Sequence, residues 1–274
     1  MELEQHSAEF RQKGIGIAAL SYDSPAVLKY FSDKRKISYP LLSDPDSKII
    51  RDFGILNEAI PAGNPFRGIP NPGSYLVNPN GRVISKYFEE NYTERYTAAD
   101  ILVKEFRSAA GAAHQTVETK HLRLSSSATA STVRPGQRIA LQLDIELAKG
   151  MHVYAPGVSG YKPVEWRMAE SPSSRVESAV FPKPRILYLK AIKEKVPVYE
   201  RTIRVTREIT IGTQRALTPL LDEAGNLTIE GEFRYQACDA KVCYVPRSVP
   251  LKWKLLVEGH DAERAPKELR KVGL

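Results

Sequence analysis

Residues 138–147 read RIALQLDIEL. Ile139, Leu141, Leu143, Ile145 and Leu147 alternate with residues that are mostly polar. A period of two puts the apolar set on one face of a strand and the polar set on the other. Two later stretches repeat the pattern. LTIEGEFRY (227–235) aligns Leu227, Ile229, Phe233 and Tyr235, and VPLKWKLLV (249–257) aligns Val249, Leu251, Trp253 and Leu255. Turn signals separate these runs: Arg134-Pro135-Gly136, Ala148-Lys149-Gly150 and Glu223-Ala224-Gly225-Asn226. No long helical pattern intervenes. The expectation for residues 118–258 is an antiparallel β-sandwich of immunoglobulin type.

Toward the N-terminus the pattern changes. SAAGAAHQT (108–116) is rich in small residues and reads as a linker, 108–117. Before it, helix and strand signals alternate. MELEQHSAEFRQKG suits an amphipathic helix stopped by Gly14. IGIAALS (15–21) is a continuous apolar run, as expected of a strand buried on both faces. Ser24-Pro25 supplies a cap and a first-turn proline for a helix with Val27, Tyr30 and Phe31 on one side. YPLLSD (39–44) is extended. Asp46-Ser47 opens a helix over KIIRDF, closed by Gly54. A Pro/Gly-rich loop follows, and Asn80-Gly81 then turns a hairpin between SYLVNP and RVISKYFE. Thr97 caps a helix over AADILVKEF. This alternation predicts an α/β sheet over residues 1–107. Residues 259–274 form a charged tail.

A chain of 274 residues suits two domains. It is 42% hydrophobic and 26% charged, as soluble globular proteins are, and no run is apolar enough to span a bilayer. The N-terminus lacks the basic start, apolar centre and cleavage site of a signal peptide. The net charge of +8 is uneven. Residues 1–106 carry 13 Lys and Arg against 14 Asp and Glu, whereas residues 107–274 carry 27 against 18. The densest basic cluster is Lys183, Arg185, Lys190, Lys193 and Lys195. No nucleic-acid motif accompanies it, so it reads as a solvated face and no nucleic-acid partner is expected.

The chain has two cysteines, Cys238 and Cys243, in YQACDAKVCYVP (235–246). Strand-like flanks and a short DAKV insert let a hairpin or a bent strand edge bring the sulfurs together. Zinc needs four N/S ligands, and the five histidines, His6, His114, His121, His152 and His260, are scattered, so no metal and no cofactor are expected. A structural clip and an exchange pair remain open. A short loop gains little from cross-linking, and a small ring is easily reduced. Lys241 favours a thiolate, and Asp239 opposes one.

YQACDAKVCYVPRSVPLKW, with GMHVYAPGVSGYKPVEW (150–166) upstream, resembles the N-terminal, periplasmic domain of the DsbD thiol:disulfide interchange proteins. The likeness spans about residues 118–258. It implies an immunoglobulin-like fold, a periplasmic location and a disulfide that relays electrons by exchange with a thioredoxin-like or other thiol protein. By position, Cys243 matches the cysteine that joins partners, and Cys238 the one that resolves the mixed disulfide. A cap loop shields the pair in that family, and Tyr188–Glu194 is its loose counterpart. Tyr235, Gln236, Lys241 and Tyr244 are candidate supporting residues. The chain shows neither the family's membrane portion nor its CxxC thioredoxin domain.

KGIGIAALSYDSPAVLKYF…YPLLSDPDSKIIRDFGI…NPGSYLVNPNGRV resembles the redoxin (AhpC/TSA, thioredoxin-like) proteins over about residues 2–106. In that likeness Pro72 sits where the thioredoxin fold keeps a cis-proline. The first strand and the active-site cysteine are not seen, and Gly73 and Ser74 stand near where peroxiredoxins place an arginine. The reading is a thioredoxin-like domain shortened at its N-terminus, ahead of a degenerate one. The functional expectation is a thiol–disulfide interchange protein of the cell envelope. The alternatives are a peroxiredoxin-type antioxidant protein whose catalytic cysteine is missing from this chain, and a binding module with a structural disulfide.

Overall fold

In the computed structural model, which describes residues 2–64, 66–88, 95–106, 113–189, 193–259 and 266–269, the chain divides into two units: Met1–Leu102 with His260–Leu274, and Val103–Gly259. The first unit begins with α1 (Glu2–Gln5) and α2 (Ser7–Gln12), two short helices rather than one, and Gly14 follows with φ +75°. Ser24 caps α3 (Pro25–Arg35) by accepting from the Val27 N–H at 3.4 Å, as its sequence predicts. The side chain that α3 buries is Leu28. α4 (Lys48–Asp52) is capped differently from expectation. Asp44, not Asp46-Ser47, accepts from the Lys48 and Ile50 N–H groups, each at 2.9 Å, while Ser47 takes a left-handed conformation. An acceptor three residues upstream reaches the free donors of the first turn as well as an ordinary cap does.

β1 (Ala19–Ser21) pairs in parallel with β2 (Leu41–Ser43). The run 15–21 is not buried on both faces. Only its last three residues form a strand, and none of the seven is buried. Double burial needs a sheet covered by layers on each side, and among the described residues this ladder has two strands. β3 (Gly73–Val77) and β4 (Val83–Phe88) form the predicted hairpin, with Gly81 at φ +77° and the Asn78 side chain accepting from Asn80 and Arg82. β5 (Arg95–Tyr96) precedes α5 (Ala98–Phe106). Thr97 caps α5 through the Asp100 N–H at 3.0 Å, and the Asp100 carboxylate answers to the Thr97 N–H at 3.4 Å.

The second unit is β-rich. β6 (Ala113–Glu118) occupies part of the stretch read as a linker; residues 107–112 lie outside the described set. It pairs with β7 (Leu122–Ala128), and Val117 packs against the core. After β8 (Thr132–Val133) and β9 (Gln137–Leu147) come β10 (His152–Tyr154), β11 (Glu165–Met168), β12 (Ser174–Val176), β13 (Arg185–Leu189), β14 (Glu194–Glu200) and β15 (Thr202–Ile211). A short α6 (Gln214–Leu217) leads to β16 (Asn226–Tyr235), β17 (Ala237–Cys238) and β18 (Arg247–Val257). β12, β15, β9, β7 and β6 run side by side in one sheet, and β11, β16, β18 and β8 in a second. Their facing sides share one core, as the period of two predicts. Ile139, Leu141, Leu143 and Ile145 of β9 meet Phe233 of β16 and Leu251, Trp253 and Leu255 of β18. Trp253 Nε1 donates to the Ser127 carbonyl at 3.0 Å, so this fully buried indole has its donor paired. This is the immunoglobulin-like sandwich, antiparallel except where β8 pairs in parallel with β18. A third sheet, in the order β13-β14-β10-β17, carries the cysteine hairpin on its edge.

Candidate functional site

β17 is short because the chain must turn at once. Asp239 N–H donates to the Val242 carbonyl at 2.9 Å, and the Asp239 carboxylate accepts from the Lys241 and Val242 N–H groups at 2.7 and 2.8 Å. An aspartate at this place supplies its own turn acceptor. Cys238 and Cys243 become directly opposed bridge partners with Cα atoms 4.0 Å apart, and their sulfurs are joined as a disulfide. The hairpin expected from the spacing is present.

The two sulfurs have different surroundings. Cys238 is 1% exposed and packs with Tyr154, Val196 and Val198. Cys243 is exposed. The Tyr154 hydroxyl lies 3.6 Å from Cys243 Sγ and 3.7 Å from Cys238 Sγ. Disulfide sulfurs carry no hydrogen, so the hydroxyl is the donor. Burial pushes the Tyr154 phenol up, and Glu194 adds to it, so the group stays protonated at neutral pH. The Tyr154 ring is held by Tyr161, 4.3 Å between centroids. The Tyr161 hydroxyl donates to Glu194, and this bond raises its pKa to about 12.

The supporting residues named from the sequence fall into place unevenly. The Lys241 and Val242 N–H groups hold the Asp239 carboxyl down, Tyr244 adds to this by donating to it at 2.8 Å, and the same bond pushes the Tyr244 phenol up. Gln236 Nε2 donates to the Tyr244 carbonyl at 2.9 Å, bracing the hairpin across its base. Tyr235 is buried, and its hydroxyl meets Thr119 Oγ1 at 3.0 Å. Lys241 is exposed at the turn. The Asp239 charge that was expected to oppose a thiolate is engaged in the turn. Pro72 belongs to the other unit. No peptide bond is cis among the described residues, so the predicted cis-proline is trans. Asn71 N–H donates to the Ile55 carbonyl at 2.6 Å, and Pro70 bridges Leu56, which holds this loop without a cis turn. Of the cap-loop counterpart Tyr188–Glu194, residues 190–192 lie outside the described set. The adjoining Leu187 and Leu189 pack against the cluster that holds Cys238.

Sequence reasoning named no role for Tyr154, His152 or His121. Tyr154 and His152 sit two apart on β10 and so share its face. His121 is 3% exposed and tilts against the Tyr244 ring at 4.4 Å. Among the described residues no cluster of three or more His, Cys, Asp or Glu could hold a metal ion. No helix of the described residues is long and apolar enough to cross a membrane.

Two family models match the chain. Residues 1–86 match the AhpC/TSA family, and residues 120–251 match the thiol:disulfide interchange protein DsbD, N-terminal. The first region is 28% identical over 81 residues to Peroxiredoxin Bcp of Escherichia coli, covering 30% of this chain and 51% of that protein. It is 29% identical over 85 residues to the putative peroxiredoxin bcp of Haemophilus influenzae, covering 31% of this chain and 54% of that protein. The chain thus spans about half the length of these curated relatives. Among solved structures, the N-terminal periplasmic domain of ScsB from Proteus mirabilis is 14% identical, with a TM-score of 0.35, covering 54% of this chain and 51% of that one. The reduced DsbD N-terminal domain of Neisseria meningitidis is 14% identical, with a TM-score of 0.26, covering 41% of this chain and 74% of that one. Both scores are low, and the fold stands on its own strands. Residues 1–86 thus resemble the AhpC/TSA family and residues 120–251 the DsbD N-terminal family, and the Cys238–Cys243 disulfide lies in the second region.

Proposed function

We propose that the protein is a thiol–disulfide interchange protein of the cell envelope, acting through Cys238–Cys243 on a thioredoxin-like or other thiol protein. The observation that carries this reading is the asymmetry of the disulfide: Cys243 is exposed, and Cys238 is 1% exposed. A protein-sized nucleophile reaches one sulfur and not the other. A partner thiolate attacks Cys243 Sγ, and the disulfide bond breaks. Cys243 is now bound to the partner, and Cys238 leaves as a thiolate beside the Tyr154 hydroxyl. The partner's second thiolate then attacks its own bridged sulfur and expels the Cys243 thiolate. Two electrons pass from the partner's dithiol to the pair, and both new thiolates are protonated from solvent or nearby groups. The same steps reversed oxidise the pair. The periplasm fits a protein that keeps a disulfide.

Mixed-disulfide trapping tests the reading. With a thioredoxin-like partner, Cys238→Ser accumulates the covalent complex and Cys243→Ser forms none. Equal trapping by both variants, or by neither, rejects it.

A further inference from the structure

The face of β10 that presents Tyr154 to the disulfide presents a second polar side chain, His152. In the β10–β17 ladder His152 stands directly opposite Cys238. Directly opposed residues of an antiparallel pair keep their Cβ atoms about 4.5–5.5 Å apart on one face. His152 is 6% exposed, and its Nε2 is buried without a hydrogen-bond partner. Buried polar atoms are seldom left so. The oxidised pair explains the orphan, since a disulfide has no hydrogen to offer, whereas a thiol at position 238 has one.

We propose that His152 is the proton acceptor for the buried thiol of Cys238 in the step that closes the disulfide. This rests on the exchange reading above. Cys243 is first bonded to a partner sulfur, and Cys238 is a thiol. The Cys238 proton moves to His152 Nε2. The thiolate's electron pair forms the bond to Cys243 Sγ, the bond from Cys243 to the partner breaks, and the partner sulfur leaves as a thiolate. The imidazolium then returns its proton to solvent. Water cannot readily do this work at a sulfur that is 1% exposed.

The surroundings suit an acceptor. Glu200 faces His152 from β14 and pairs with Arg185 at 2.6 Å. Asp239 follows Cys238, and the Tyr154 ring stands edge-on at 5.6 Å. Burial lowers the imidazole's proton affinity, so it rests neutral, while Glu200 and Asp239 oppose that effect and favour the charged form once a proton arrives.

Reaction of the reduced chain with 5,5′-dithiobis(2-nitrobenzoate) separates the steps. The exposed Cys243 releases a first coloured thiolate, and Cys238 releases a second as it closes the disulfide. His152→Gln is expected to keep the amplitude of the first release. It should slow the second about a hundredfold, the low end for lost proton transfer, and move its pH midpoint up toward the ordinary thiol value of about 8.5. A second release with unchanged rate and midpoint overturns the proposal. Absence of the first release in the native chain overturns the exchange reading instead. Should the variant not fold, the His152 ring is titrated by NMR in the native chain, oxidised and reduced. Its midpoint is expected to change on reduction, and an identical midpoint in both forms overturns the proposal.

Discussion

The hydroxyl of Tyr154 lies 3.6 Å from Sγ of Cys243, the one exposed sulfur of the pair. It is also 3.7 Å from Sγ of Cys238, so one donor lies within reach of both ends of the disulfide. A hydrogen bond strengthens as its acceptor becomes charged. Tyr154 therefore does more for a departing thiolate than for the intact disulfide.

Tyr154→Phe keeps the ring against Tyr161 and removes the donor. Exchange with a small dithiol should slow about tenfold, since hydrogen bonds to charged groups contribute about 1.5–3 kcal/mol. Thermal stability should change little. Stopped-flow reduction by dithiothreitol checks this, and an unchanged rate contradicts it.

His121 gives the second unit an acid sensitivity. Burial lowers its pKa first, and Arg247 and Lys120 add to it. The unfolded chain therefore binds a proton that the folded one refuses. The stability is present above the unfolded value of about 6.5 and is lost as pH falls from there through the folded value. Denaturant midpoints should decline over that window, and His121→Phe should flatten the decline. A variant with the same slope would remove His121 as its source.

Trp253→Ala should destabilise the second unit by about 3–5 kcal/mol. The ring is 0% exposed, and its N–H is bonded to Ser127. Urea unfolding followed by far-UV circular dichroism measures this. A loss below about 1 kcal/mol would mean that the two sheets do not depend on the shared core.

Redox titration separates an exchanging pair from a clip. Structural disulfides in secreted proteins have potentials below about −300 mV. Cys238–Cys243 should titrate above that value in glutathione or dithiothreitol buffers. A lower value supports a clip that stiffens the hairpin.

Peroxide turnover by this chain should be undetectable. The AhpC/TSA region, residues 1–86, contains no cysteine, and the two sulfurs lie in the other unit. Consumption of hydrogen peroxide with dithiothreitol, measured against a Cys238/Cys243 double serine variant, checks this. Turnover that depends on neither sulfur would point to chemistry outside the pair.

Local chemistry carried much of the fold. Ser24-Pro25, Asn80-Gly81 and Thr97 act through neighbours within about four residues, so their caps and turns are written in the chain itself. The alternation in 138–147, 227–235 and 249–257 likewise names strands and the face each one buries. Where distant residues intervene, local reading fails. Ser47 looks like a cap, yet Asp44 takes its donors; Pro72 looks like a cis-proline, yet its loop is held by Ile55 and Leu56 in a trans form. The small residues around 113 read as a linker because pairing with β7 cannot be seen from composition.

By itself the sequence indicated that two cysteines with four residues between them lie in a β-rich half, because strand-like flanks and a short DAKV insert suit a turn between them. Only the tertiary structure decided which sulfur is shielded and what faces it. Cys238 is covered by β14, and Tyr154 and His152 arrive on β10, a strand some 84 residues earlier in the chain. Strand order is set by burial summed over whole sheets, and no local pattern encodes it.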